Sequence, residues 1–441
     1  MTKRDVLVDW SSLSDPEKPA AVATSRTRLD RIGRKLNAVV AELPSKAQAS
    51  GPLKGMPCAV KDMIATGVSI PSWGLVQPVI NEVGPRAPVL ERLDAAGADL
   101  MAVAEMTSLA YEPSGYNAAR GRVLNPWSAD IVCGGSSSGS AALVASGCCY
   151  VALGSDTGGS VRIPASCCGV TALKPTYGVI PVEAAMPLAP SLDTIGIIAR
   201  SAADAALAWT AITGEMSEPL PYPVQAAVMQ DAFAASEIVV AQVCEQAAIT
   251  LSQLGVAMTD RMGFPEQADL HSLTILQAEA ARTHQKHLDD ERIDATLRKR
   301  FAKALTITDA DLALALRNRD GLRDEFLSQQ MGDADVAILP VMPIRTPDVG
   351  ETDPAYRDFK ATTLYAMSRF TRFVNYLGLP ALALPAGEDD RGFPIGLQLI
   401  GRPGHDALLL ELGKLFQSAT HWHGRVPHGV AADIAAEELA A

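Results

Sequence analysis

The sequence predicts an α/β protein with a large, partly parallel central sheet, and three observations support that prediction. Hydrophobic residues make up 48% of the 441 residues and charged residues 20%, so a large core can form and global disorder is excluded. Aromatic residues account for only 5%, so Ala, Val, Leu and Ile must fill most of that core. Strand-like segments also alternate with helix-like segments, a pattern typical of parallel βα units.

The amino-terminal half contains most of these alternating elements. Its first predicted helix covers residues 24–43, because apolar side chains recur on one helical face behind Thr24 and Ser25 as caps. The next predicted elements are a strand at 56–61, a helix at 86–96 closed by Gly97, a strand at 100–106, a helix at 139–147 and a strand at 150–155.

The carboxyl-terminal half has a different pattern. Residues 231–330 are helical in periodicity and more charged, and strand candidates follow at 336–341, 381–387 and 394–401, with a closing helix at 406–417. A prior of ~150 residues per domain would give about three domains. The pattern instead favours a single α/β domain over 1–441, with a helical region at about 215–330 inserted before the last strands.

Charge, cysteine content and the amino terminus exclude several classes of protein. There are 38 Lys and Arg against 50 Asp and Glu, and the net charge of −12 argues against a nucleic-acid partner. The amino terminus lacks the apolar run of a signal peptide, and the uncharged residues 131–155 contain too many Gly and Ser to span a membrane. Seven cysteines without a Cys-x-x-Cys motif suit reduced, buried thiols. We therefore expect a cytoplasmic protein without membrane segments.

Two familiar kinds of site are disfavoured by what the sequence lacks. No histidine occurs in the first 270 residues, so a Ser-His-Asp triad in that half would need a distant His. The glycine-rich run 134–140 has Ser140 where a P-loop has Lys, which argues against a nucleotide site. The histidines at 421–428 lie in a Pro-containing tail, and we assign them no metal. The sequence thus predicts neither a metal nor an organic cofactor.

A second glycine turn, Asp156-Thr157-Gly158-Gly159-Ser160, directly follows the strand at 150–155. Glycines let backbone N–H groups converge on one point, as the stabilisation of an oxyanion requires, and Ser160 could then attack a carbonyl held there. Without a nearby His, the base for such a serine would be a Lys kept neutral by burial. Lys61 fits because it ends an apolar strand, although most lysines are surface residues.

Six segments spread along the chain carry the motifs of one known family. They are GMPCAVKD at 55–62, GGSSSGSAALVASG at 134–147, LGSDTGGSVRIPASCCGVTALKPTYG at 153–178, SLDTIG at 191–196, NYLGLPALALPAG at 375–387 and GFPIGLQLIGRP at 392–403. In this order they resemble the amidase signature family, the Ser-cisSer-Lys amide hydrolases. The resemblance implies the family fold, a large mixed sheet covered by helices on both faces.

The resemblance also implies roles for particular residues. Lys61 matches the general base, Ser136 matches the bridging serine held by a cis peptide bond, and Ser160 matches the nucleophile. By the same resemblance, the oxyanion hole consists of the amides of Thr157, Gly158, Gly159 and Ser160, and the loop is supported by Ser155, Asp156 and Arg162. The implied activity is hydrolysis of a small carboxamide or related linear amide, without a cofactor.

The substrate is less well defined by the sequence. Arg345 could bind a substrate carboxylate or be an exposed loop arginine, and Tyr111 and Tyr116 are candidates for lining the pocket. Residues 105–109 depart from the family's common Asn-Met-x-Glu-Phe, which affects the expected substrate rather than the chemistry. The alternatives to a free amidase are a glutaminase-type component of a multi-chain amidotransferase and an inactive scaffold. The resemblance suggests a homodimer.

Overall fold

One mixed β-sheet runs through the protein. The computed structural model describes residues 7–44, 50–78, 84–216, 219–220 and 223–438. The strands are β1 (Val39–Glu42), β2 (Pro57–Lys61), β3 (Asp99–Ala104), β4 (Val151–Asp156), β5 (Thr171–Lys174), β6 (Thr194–Ala199), β7 (Gln225–Met229), β8 (Ala257–Arg261), β9 (Val336–Pro340), β10 (Ala381–Glu388) and β11 (Pro394–Gly401). Their order in the sheet is β1-β3-β2-β4-β6-β5-β10-β11-β9-β7-β8.

The sheet is partly parallel, which confirms the predicted fold class. Strand β2 is parallel to β3 and β4, and β7 is parallel to β8 and β9. The other neighbouring pairs are antiparallel. Carboxyl ends of parallel strands meet at one sheet edge, where α/β proteins commonly place their ligands.

Helices cover both faces of the sheet. They are α1 (Lys18–Arg28), α2 (Pro88–Ala95), α3 (Ser138–Ala145), α4 (Arg162–Cys168), α5 (Ala202–Thr213), α6 (Gln230–Ala234), α7 (Ile238–Gln253), α8 (Glu266–Thr283), α9 (Ala295–Ala304), α10 (Asp309–Glu325), α11 (Val349–Thr352), α12 (Ala361–Met367), α13 (Arg372–Tyr376), α14 (Asp406–Ser418) and α15 (Ala431–Glu438). Among the described helices none has the length and apolar character needed to cross a membrane.

Alternation along the strands gives the two faces different surfaces. On β4, Val151 and Leu153 pack into the core that contains α5 and α14, whereas Ala152 packs with α3 and α4. The same alternation places Ala59 and Ala383 on the α3 and α4 side. Small side chains on that face leave room for α3 and α4 to lie close to the sheet, and every residue of both helices is buried.

The first helix differs from its prediction. It begins at Lys18, with Pro19 in its first turn where a missing N–H costs no helical hydrogen bond. It continues through Leu29–Gly33 and ends before Asn37, whose φ of +53° turns the chain into β1. Val39, predicted on the helix, therefore lies in a strand.

The region expected to be helical, at about 215–330, also contains two strands. β7 and β8 extend the same sheet beside β9, which corrects the helical prediction for these residues. Neither the sequence QAAVM of β7 nor AMTDR of β8 alternates apolar with polar residues, and β8 is an edge strand with partly exposed side chains. That the whole chain forms one domain stays a prediction. All seven cysteines are buried and form no disulfide, as expected of reduced thiols.

Candidate active site

Lys61 lies at the carboxyl end of β2, in the parallel part of the sheet. Residues Cys58–Val60 pair with Val151–Leu153 of β4, so the end of β4 lies beside Lys61. The strand is apolar and buried throughout, which carries the Lys61 side chain into the interior with no exposed surface. The sheet thereby brings an amine to the same edge as the loop that follows β4.

The Lys61 amine contacts two serine hydroxyls. Its Nζ donates to Ser136 Oγ at 2.6 Å and to Ser155 Oγ at 2.8 Å. Burial lowers the pKa of Lys61 to about 7, although the carboxylates of Asp156 and Asp193 favour its charged form. A substantial fraction of Lys61 is therefore neutral near pH 7. Ser155, expected to support the loop, is in direct contact with this amine.

Ser136 lies in the loop that leads into α3. The Gly135–Ser136 peptide bond is cis, and the Ser136 carbonyl accepts from the Thr107 amide at 3.2 Å. The next amide, that of Ser137, donates to the Ser160 carbonyl at 3.2 Å, which joins this loop to the glycine turn. The Ser137 side chain does not cap α3, because its Oγ donates to the Ser155 carbonyl.

The glycine turn after β4 wraps around the Asp156 carboxylate. The Gly159 amide donates to Asp156 Oδ1 at 2.7 Å, so this amide is occupied, contrary to its predicted place in the oxyanion hole. The amides of Thr157, Gly158 and Ser160 donate to no acceptor among the described residues. Gly159 has a φ of +126°, and a Cβ there would lie 2.2 Å from Thr371 Oγ1, so the turn requires glycine.

Asp156 forms a fully buried ion pair with Arg162. Arg162 Nη2 donates to Asp156 Oδ1 at 2.9 Å and Nε donates to Oδ2 at 3.0 Å. Burial alone would raise the pKa of Asp156, but the Arg162 guanidinium and further hydrogen bonds lower it to about 2. The Arg162 guanidinium also donates to Gln398 Oε1 and Asn375 Oδ1, both at 2.6 Å. The pair thus ties the turn to strand β11, which carries Gln398, and to helix α13, which carries Asn375.

Residue-by-residue reasoning from the sequence missed several supports of the turn. Asn375 Nδ2 donates to the Asp156 carbonyl at 2.8 Å, and Thr371 Oγ1 donates to the Gly158 carbonyl at 2.7 Å. Asp193 accepts from Thr157 Oγ1 at 2.7 Å. Asp193, Asn375 and Gln398 all lie in the quoted family motifs, and their place in those motifs could have identified them as residues of the site. Thr371 lies outside those motifs.

Ser160 is half-buried and opens onto a cavity of about 300 Å³. Thr157, Gly158 and Tyr111 also line this cavity. Its apolar wall comes from Ala110, Pro113, Ile163, Leu188, Leu273, Leu276, Ala304, Ile307, Ala361 and Leu364, and its remaining polar residues are Gln277, Arg300, Lys303, Thr306, Tyr365, Ser368 and Arg372. The helices α8, α9 and α12 supply nine of the 21 residues that line the cavity. No family motif covers α8 and α9, so the sequence did not identify these residues.

Two residues predicted to contact substrate lie elsewhere. Arg345 follows β9, which β6, β5, β10 and β11 separate from β4 in the sheet. Its guanidinium pairs with Asp390 at 3.0 Å and Glu237 at 3.8 Å and lines a different surface cavity, which corrects its predicted position in the pocket. Tyr116 lines a smaller neighbouring cavity with Glu112. Tyr111 alone of the three borders the Ser160 cavity.

The described residues contain no group of three or more His, Cys, Asp or Glu side chains arranged to hold a metal ion. The polar centre of the site instead consists of one amine, serine hydroxyls and backbone amides. These groups suit proton transfer and the stabilisation of a negatively charged oxygen.

A buried lysine and two serine loops at the edge of a mixed sheet form the kind of site that amide hydrolases use. The sequence matches the Amidase family over residues 20–410, and the chain belongs to this family. The protein is accordingly an enzyme that hydrolyses amide C–N bonds.

Individual relatives agree with this assignment. The chain is 32% identical to a glutamyl-tRNA(Gln) amidotransferase subunit of Moorella thermoacetica, over 88% of this chain and 87% of the relative. A crystal structure of an amidase superposes with a TM-score of 0.81 at 28% identity, covering 91% of this chain and 95% of the other. The corresponding amidotransferase subunit of Thermotoga maritima gives 0.80 at 26% identity, with coverage of 96% and 99%.

Proposed function

We propose that the protein hydrolyses a small carboxamide or related linear amide to a carboxylate and ammonia or an amine, through an acyl-enzyme on Ser160. The observation that carries this proposal is the buried Lys61 amine, bonded to Ser136 Oγ at 2.6 Å, with a pKa of about 7. A neutral amine in contact with a hydroxyl is a competent general base at physiological pH. The substrate is a small molecule, and the reaction requires no cofactor.

The first half of the reaction transfers the acyl group to the enzyme. Ser160 Oγ attacks the amide carbon while its proton passes to Ser136 and the Ser136 proton passes to neutral Lys61. The new C–O bond leaves a negative charge on the former carbonyl oxygen. Unoccupied amides of the glycine turn support that charge, and a correctly placed donor can contribute about 3–4 kcal/mol. As the C–N bond breaks, the proton returns through Ser136 to the leaving nitrogen.

The second half of the reaction releases the acid. Water gives a proton to Lys61 by way of Ser136 while its oxygen adds to the acyl carbon. The tetrahedral intermediate then collapses, the bond to Ser160 Oγ breaks, and the proton returns to Ser160. The immediate products are a carboxylic acid and ammonia or an amine, and the enzyme regains its starting protonation. The acid then gives its proton to the ammonia, the amine or water and becomes the carboxylate.

Ser160→Ala is the direct test of this proposal. Because the variant lacks the attacking oxygen, ammonia release from a simple amide should fall by about a thousandfold or more. The wild type incubated with hydroxylamine should form the hydroxamate of the substrate, and Ser160→Ala should not. Ser418→Ala, an exposed serine on α14, is the matched control. Turnover by Ser160→Ala within a few-fold of the wild type would refute the acyl-enzyme.

The name of the relatives favours a second candidate, a glutaminase-type component of a multi-chain assembly. Several relatives of 30% identity or more are called glutamyl-tRNA(Gln) amidotransferase subunits. The isolated chain separates the two candidates. A free amidase hydrolyses simple amides alone, as a monomer or the homodimer suggested by the resemblance. A glutaminase component should release ammonia from glutamine only with co-purified partner chains present.

A further inference from the structure

The cavity beside Ser160 has an unbalanced charge. Three cations line it, Arg300, Lys303 and Arg372, and no Asp or Glu among the described residues does so. Arg300 and Lys303 both belong to α9, and Lys303 is exposed at the cavity's rim. Since the rest of the wall is largely apolar, these side chains are the strongest electrostatic feature that a substrate would meet.

Arg372 is already neutralised by the protein. Its Nε lies 2.7 Å from Asp269 Oδ1, and its Nη2 donates to Asp269 Oδ2 at 2.8 Å. Its Nη1 donates to the Tyr365 carbonyl and to Ser368 Oγ. Arg300, by contrast, forms no ion pair and no hydrogen bond with any described residue. The two arginines share one cavity, but only Arg300 has a free guanidinium.

Arg300 also borders the smaller neighbouring cavity, whose acidic residues are Glu112 and Asp294, but it forms no ion pair with either carboxylate. Burial raises the pKa of Tyr111 to about 12, so its hydroxyl stays neutral; its ring packs edge-on against Phe301 at 4.9 Å. The Glu112 carboxylate accepts from the Ser114 and Tyr116 amides and lines the smaller neighbouring cavity. Burial raises the pKa of Glu112 to about 7 even though the Arg300 charge acts to lower it, which weakens the negative charge of Glu112 further.

We propose that Arg300 binds a carboxylate of the substrate and that Lys303 adds attraction at the rim. This inference rests on the proposed function and names its substrate class: the half-amide of a dicarboxylic acid, with an apolar chain between the amide and the carboxylate. A half-buried guanidinium without a partner gains most from a bidentate, planar anion such as a carboxylate. The cavity offers no carboxylate to an ammonium group, so an α-amino substituent on the substrate is disfavoured.

Three amides of similar length test this substrate class. Glutaramate carries the carboxylate, pentanamide replaces it with a methyl group, and glutamine adds an α-ammonium. We expect kcat/KM for glutaramate to exceed that for each of the others by about tenfold or more. Pentanamide lacks the carboxylate and gains no hydrogen bond to a charged group, whereas glutamine brings an ammonium that meets no carboxylate in this cavity. Ammonia release by the purified full chain is the measurement.

Arg300→Ala should bring the glutaramate-to-pentanamide ratio of kcat/KM close to one, and Arg300→Lys should retain part of it. Lys299→Ala is the matched control, since it removes an equal charge from an exposed position of the same helix outside the cavity, and should leave the ratio unchanged. Equal losses on both amides in Arg300→Ala would mean a structural role and overturn the inference. So would a wild-type preference for pentanamide or glutamine.

A binding measurement separates this inference from the proposed function. Calorimetry with glutarate, the expected product, requires no turnover. If the wild type releases no ammonia from any of the three amides, the proposed function fails for them. Glutarate binding that is lost in Arg300→Ala would then still support the anion site, whereas wild-type protein that does not bind glutarate would overturn it.

Discussion

The two sides of the Ser160 cavity are built differently. Behind one side, Lys61, Ser136 and Asp156 are completely buried and hydrogen-bonded, and they lie at strand ends and in the loop that leads into the buried helix α3. On the other side, α9 and α12 present Lys303 and Tyr365 partly to solvent, and Arg300 has no protein partner. The residues on the first side are held in place by packing and hydrogen bonds, whereas the residues on the second side can be replaced with little effect on the fold.

This difference indicates that the buried side carries out the reaction and that the α9 side selects the substrate. A proton relay works only if its atoms keep their distances, so it needs packed and hydrogen-bonded supports. A substrate-binding wall needs only the right shape and charge, and it can change without disturbing the relay. Substitutions on the buried side should therefore reduce rate or stability, whereas substitutions on the α9 side should change which amide is preferred.

The largest effect is expected at Lys61. Lys61→Met fills the same apolar site without a base, and kcat/KM should fall by about a thousandfold or more. In the wild type, protonation of Lys61 removes the base, so kcat/KM should fall about tenfold per pH unit below its pKa of about 7 and level off above it. A pH series of initial rates measures both. A flat profile between pH 5 and 8 would contradict a neutral lysine base.

Lys174 is the control for this pH profile. Its side chain is also buried and burial lowers its pKa to about 7, but its Nζ donates to the Pro175 carbonyl rather than to a serine of the site. In Lys174→Met, the midpoint of the rate profile should therefore remain that of the wild type. A shift of the midpoint in this variant would mean that the rate profile reports the titration of Lys174 rather than that of Lys61.

A smaller loss of rate, together with a loss of stability, is expected at Asp156. Asp156→Asn leaves the buried Arg162 charge uncompensated, which should lower the free energy of unfolding by about 3–5 kcal/mol. Activity should fall as well, because the Gly159 amide loses its carboxylate and the turn loosens. Urea unfolding and ammonia release measure the two effects.

Asp309→Asn is the matched control for Asp156→Asn. It breaks an Asp–Arg pair in which the Asp309 side chain is 95% exposed, and solvent screening should make its loss hardly measurable. If both variants had equal free energies of unfolding, the buried pair would not be a support of the glycine turn.

The smallest effect is expected at Arg345. Because its guanidinium pairs with Asp390 and Glu237 away from the cavity, Arg345→Ala should change kcat/KM for any amide by no more than about twofold. The same assay that tests Arg300 measures this variant. A large rise in KM for acidic amides alone would restore Arg345 as a substrate ligand and weaken the contrast between the two sides.

Much of the fold was predictable because it is encoded locally. Apolar runs bounded by Pro and Gly indicated β2, β9, β10 and β11 close to their observed bounds. Asn37 was harder to interpret, since a single residue with positive φ ended a periodic helix and started β1. Strands β7 and β8 were missed because their five residues resemble the helical sequence around them.

The sequence by itself determined the chemical groups of this protein: an amine at the end of an apolar strand, two serine-bearing glycine loops and no histidine near them. Each of these motifs is a short continuous segment of the chain, so it can be recognised from the sequence alone. Only the tertiary structure decided that the Gly159 amide donates to the Asp156 carboxylate, that Arg345 lies outside the cavity and that Arg300 lines the cavity without an ion-pair partner. Such facts depend on which distant segments meet, because burial and pairing of a charge are properties of its neighbours in space.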